Sequence, residues 1–124
     1  MKKVNLVLQI LLGLMLVVFG LNKFFGFLPM PAMPGPAGNF MGALLATGYM
    51  IKMVGVIEVL VGALLLLRKF VALSLVFLAP ISVNIVAFHL FLDLPGIGGA
   101  AVVAILNLNL LIVYRAAFKG ILKN

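Results

Sequence analysis

Two acidic side chains, one histidine and no cysteine or tryptophan occur among these 124 residues. Without cysteine there is no disulfide, no thiol nucleophile and no thiolate metal site. One histidine and two acids cannot build a metal cage from side chains, so no metal ligand set is expected. Methionine is more plentiful, with seven copies. Thioethers alone, without cysteine and with a single histidine, make a poor soft-metal site. Charge is scarce as well. Nine Lys and Arg plus the two acids leave eleven charged residues, too few to coat a water-soluble surface.

What the chain does have is apolar mass. Hydrophobic residues make up 66% of it, against about 45–50% in a soluble domain. Its mean hydropathy is +1.39. Lipid, rather than water, is expected to solvate most of the outside. A net charge of +7 could suggest nucleic acid. The basic residues instead sit at the ends of apolar runs, as they do in membrane proteins. The lipid bilayer is therefore the expected partner, and nucleic acid is not.

Crossing the hydrocarbon takes about 20 helical residues. The apolar runs predict an all-α fold, a polytopic four-helix membrane bundle, as one domain over residues 1–124. Its spans cover approximately residues 4–25, 49–67, 70–92 and 97–116. The run from Phe40 to Leu67 is too long for one crossing, and Thr47-Gly48 is its natural break. Asn39 to Ala46 is read as a short interfacial helix with Asn39 as its N-cap. The connection over residues 26–48 carries Pro29, Pro31, Pro34 and Pro36, which forbid regular helix along its first part. An N-terminal signal peptide is the competing reading of residues 1–25. It is disfavoured because no small-x-small cleavage site follows Gly20.

Lys2, Lys3, Arg68, Lys69, Arg115, Lys119 and Lys123 all fall on one side of four crossings. That side is expected to be cytoplasmic, with both termini there. Lys23 and Lys52 are the exceptions.

Glu58 is the feature that most needs an account. It is the single glutamate, midway along the run from Tyr49 to Leu67, where a carboxylate needs a partner, a proton or a job. Gly48, Gly55 and Gly62 form a seven-residue stripe, with Lys52 and Glu58 about 60° to either side. Such a stripe allows close helix approach. Ala100, Ala104, Asn107 and Leu111 form a similar stripe on the last span. Pro80 should loosen the third span.

Depth counting at about 1.5 Å per residue puts Lys23, Lys52, Glu58, Asn84, His89, Asp93 and Asn107 in the outer half. The inner half reads as nearly featureless. Glu58, Lys52, Lys23, His89, Asn84 and Asn107 are thus the candidate site. Each has a plainer reading: a structural ion pair for Glu58 with Lys23 or Lys52, headgroup snorkelling for the lysines, interface anchoring for His89, and helix–helix hydrogen bonds for the asparagines. Ser74 and Ser82 are read as bonding their own backbone. No nucleophile–base pair stands at a spacing that supports chemistry, so no catalytic residue is assigned.

An ordered set of segments resembles the DoxX family of small bacterial membrane proteins. These are Gly20-Leu21-Asn22-Lys23-Phe24-Phe25-Gly26, Ala46-Thr47-Gly48-Tyr49, Gly55-Val56-Ile57-Glu58, Ala79-Pro80-Ile81-Ser82-Val83-Asn84-Ile85 and Phe88-His89-Leu90-Phe91-Leu92-Asp93. The resemblance implies a four-helix protein of the bacterial cytoplasmic (inner) membrane. It also implies a link to a redox partner, since the family is named after a subunit linked to thiosulfate:quinone oxidoreductase. No haem, flavin or iron–sulfur motif is visible, so the chain carries no redox cofactor of its own.

A quinone or lipid bound beside Glu58 is one expected function. A non-catalytic scaffold or assembly factor is the alternative. A small transporter or proton pathway ranks last, because the inner half offers no relay and no inverted repeat is evident. The leucine- and valine-rich faces could meet lipid or a second copy equally well.

Overall fold

The computed structural model describes residues 2–26 and 35–122. Pro29, Pro31, Pro34 and Lys123, all considered above, lie outside them. Among the described residues six α-helices follow in order: α1 Lys2–Phe25, α2 Pro36–Ala46, α3 Met50–Leu67, α4 Val71–Leu92, α5 Ile97–Val113 and α6 Lys119–Leu122. Short 3₁₀ turns at Leu94–Gly96 and Arg115–Phe118 flank α5. Among the described residues there is no strand.

Four helices are long and apolar enough to cross a bilayer, the last counted from Leu94 through α5. They form a ring in which α1 packs on α3, α3 on α4, α4 on α5, and α5 back on α1. Leu12, Leu16, Val61, Leu65, Leu75, Leu78, Val103, Leu106 and Leu110 fill the centre. The outside is just as apolar: Phe91 is 84% exposed, Ile105 65% and Phe77 59%. Water would not tolerate that much continuous apolar surface, whereas acyl chains do.

The helix boundaries have local causes. Helix α2 starts at Pro36, not at Asn39, with Gly35 as its N-cap at φ 71°. Proline at the first helical position brings a pre-set φ and loses nothing by lacking an N–H there. Asn39 is therefore inside the helix, and its amide donates to the Gly35 carbonyl at 3.0 Å. The break at Thr47-Gly48 is as the sequence reading has it. The Thr47 hydroxyl donates to the Leu44 carbonyl at 2.6 Å and accepts from the Met50 amide at 3.1 Å. Gly48 supplies the positive φ of 79° for the reversal.

Helix α3 ends on two wrapped-back bonds, Lys69 N–H to the Leu64 carbonyl and Arg68 N–H to the Leu65 carbonyl. Arg68 and Phe70 both hold left-handed backbones, at φ 58° and 51°. This conformation is ordinarily left to glycine, and it costs other residues about 1–2 kcal/mol each. The link is too short to reverse direction otherwise.

All three described basic groups gather at one end of the ring. These are the start of α1, the α3–α4 link, and the end of α5 with α6. The opposite end carries the end of α1, α2 and the Leu94–Gly96 turn. There Phe40 of α2 stacks against Phe88 of α4, with ring centroids 5.5 Å apart.

Candidate functional site

The closest helix contact sets the geometry around Glu58. Gly13 and Gly20 of α1 face Gly62 and Gly55 of α3. A Cβ on Gly62 would stand 2.7 Å from the Gly13 carbonyl oxygen, and one on Gly20 would stand 2.8 Å from the Gly55 carbonyl oxygen. The two backbones touch with nothing between them. Of the glycine stripe read on α3, Gly55 and Gly62 are in this seam. Gly48 is not, and a Cβ there would meet nothing within 4 Å. The facing pair on α1 carries the same seven-residue spacing, which the sequence reading passed over.

This approach brings Lys23 to Glu58. A Cβ on Gly55 would lie 3.2 Å from the Lys23 Cβ, so glycine at that position lets the lysine stem pass. Lys23 Nζ then reaches Glu58 Oε1 at 2.5 Å. The Glu58 side chain is 3% exposed and that of Lys23 25%. Of the two cations read as partners, Lys23 makes the pair and Lys52 does not. Lys52 is six residues from Glu58 on the same helix, about 120° around and about 9 Å along the axis. It is exposed at the rim.

The remaining candidates do not join this pair. His89 turns to Asp93. Its Nδ1 lies 3.1 Å from the Asp93 carbonyl and 3.3 Å from Oδ2 of the carboxylate. Its ring meets Phe88 edge-on. A Cβ on Gly96 would lie 2.5 Å from Asp93 Oδ2, so glycine there makes the closure possible. Asn84 is exposed, and its side chain donates to the Pro80 carbonyl of its own helix at 2.8 Å.

Asn107 is buried and ties α5 to α4. It accepts from the Ser82 hydroxyl at 3.0 Å and donates to the Leu75 carbonyl at 3.2 Å. Ser82 thus bonds across helices and not to its own backbone, while Ser74 does bond its own helix, at the Phe70 carbonyl.

The half read as featureless holds a third polar node. Gln9 of α1 is 2% exposed. Its amide nitrogen donates to the Leu65 carbonyl of α3 at 2.9 Å, and its oxygen accepts from the Tyr114 hydroxyl beyond α5 at 2.8 Å. A lone glutamine inside an apolar run was the available signal, of the same kind as Glu58. Among the described residues no group of three or more His, Asp or Glu side chains could hold a metal ion.

Two cavities are prominent. One, of about 450 Å³, opens between α4 and α5 beside Ser82 and Asn107. The other, of about 790 Å³, lies at the basic end. Four long apolar helices and an apolar exterior, with buried polar groups at several of the helix contacts, define a polytopic helical membrane protein. Comparison with protein-family profiles, curated proteins and solved structures finds no match to this chain.

Proposed function

We propose that this protein is a non-catalytic membrane scaffold or assembly subunit. It would sit in the bacterial inner membrane with its basic end in the cytoplasm, working beside a partner protein that carries any redox chemistry. The resemblance to the DoxX family supplies the partner class, and the charge asymmetry supports the orientation. One observation carries the reading. Apart from Ser74, the buried polar side chains of the described residues join helices to one another: Glu58 with Lys23, Asn107 with Ser82 and the Leu75 carbonyl, Gln9 with Tyr114 and the Leu65 carbonyl. Groups so engaged fix helix register.

The test is complementation of a deletion strain with Lys23→Met/Glu58→Leu, an apolar pair of similar bulk. The scaffold reading expects growth and partner assembly to follow the bundle's stability, so a double variant that melts like wild type should complement. A stable bundle that fails to complement would show that the carboxylate itself acts, and would overturn the reading.

A second reading is favoured by the crevice between α4 and α5. Its volume suits a quinone ring or lipid tail. The Ser82–Asn107 pair offers polar groups among Val83, Leu90, Phe91 and Leu111. Of the six candidate residues, Asn107 alone lines it. Ubiquinone or menaquinone added to protein in detergent should then raise the melting temperature, and Asn107→Leu should abolish the rise. No shift with either quinone removes this reading.

A further inference from the structure

The cavity at the basic end has no part in the proposed function. It lies between the start of α1, the α3–α4 link with the first turn of α4, and the end of α5. Lys2 and Arg68 bring positive charge from two separate elements, and Asn5 and Tyr114 add polar groups. Leu6, Val71 and Val113 supply apolar wall. A space of about 790 Å³ lined by two cations, polar groups and apolar side chains matches an amphipathic anion.

The counter-charge for this site must come from outside the chain's own acids. Glu58 and Asp93 are the two acidic residues. Glu58 is paired with Lys23, and Asp93 with His89 in the turn at the opposite end. No aspartate or glutamate is thus left to neutralise Lys2 and Arg68. Two cations beside an apolar wall, at one end of a set of membrane-spanning helices, suit a phosphate that carries acyl chains with it.

We propose that this cavity binds the headgroup of an anionic glycerophospholipid from the leaflet facing the basic end. Lys2 and Arg68 hold the phosphate, Asn5 and Tyr114 meet the glycerol region, and Leu6 and Val113 take the first methylenes of a chain. The Arg68 backbone is consistent with this use: an arginine keeps a place in the turn where glycine would fit without cost.

Wild-type protein in phosphatidylcholine nanodiscs, doped with phosphatidylglycerol, tests the assignment by native mass spectrometry of retained lipid. Phosphatidylglycerol should be enriched over phosphatidylcholine. Lys2→Gln and Arg68→Gln should each weaken the enrichment about fivefold, with melting in pure phosphatidylcholine unchanged. Lys119→Gln removes the same charge outside the cavity and should leave enrichment intact. Equal loss in Lys119→Gln would mean general surface attraction, and unchanged enrichment in the cavity variants would mean the lipid binds elsewhere. Equal thermal stabilisation by inorganic phosphate would mean a free anion site. Each of these three results overturns the proposal. If Arg68→Gln melts early in phosphatidylcholine, Lys2→Gln at the start of α1 decides alone.

Discussion

Lys23→Met should destabilise the bundle by about 3–5 kcal/mol, the usual cost of removing one partner from a buried ion pair. The Glu58 side chain is 3% exposed, so water cannot replace the lost ammonium. Glu58→Gln should cost clearly less. Lys23 is a quarter exposed and stands near the end of α1, so its freed ammonium can snorkel to the headgroups. The double variant Lys23→Met/Glu58→Leu should recover most of the loss, because a well-packed apolar pair often equals a buried ionic one. Unfolding midpoints in sodium dodecyl sulfate, run on all three variants, measure this. A Glu58→Gln variant as damaged as Lys23→Met would contradict the view that the trapped carboxylate sets the cost.

Gly62→Val should be of comparable severity, roughly 3 kcal/mol or loss of the folded bundle. Its first added carbon alone would sit 2.7 Å from the Gly13 carbonyl and 2.8 Å from a Val17 methyl. The carbonyl belongs to helix backbone and cannot turn aside, so α1 and α3 must part. Separation would also pull Lys23 away from Glu58. The two lesions should therefore be less than additive when combined, as expected for neighbours sharing one contact. Gly42→Ala and Gly98→Ala meet nothing within 4 Å and should melt within about 0.5 kcal/mol of wild type. Wild-type behaviour of Gly62→Val in the same detergent titration would mean that the α1–α3 seam is looser than these contacts require.

The sequence reading and the structure part company at identifiable places. Span count, the break at Thr47-Gly48 and the gathering of charge at one end follow from hydropathy, turn chemistry and the distribution of lysine and arginine. Helix α2 starts earlier than cap chemistry alone predicts, because Asn39 is a good cap by type while Gly35-Pro36 is a better start by backbone geometry. Gln9 was passed over because a single polar residue near a helix start reads equally well as facing headgroups.

Glu58 shows the limit most clearly. Its isolation in an apolar run was plain, and so was its need for a cation. The choice between Lys23 and Lys52 was not legible. Lys52 shares its helix, yet lies on another face. Lys23 is 35 residues away and arrives only because Gly13, Gly20, Gly55 and Gly62 let two backbones meet. His89 likewise reads as a candidate for the same cluster, and Gly96 lets Asp93 take it instead.

By itself, then, the sequence determined, through the placement of its apolar runs, how many helices are apolar and long enough to span a bilayer and which polar groups could not be left alone. The tertiary structure decided which of those groups meet. In a soluble helix the polar face marks the outside, but here lipid and protein interior are equally apolar. Periodicity cannot say which face turns inward, and only the register between packed helices can.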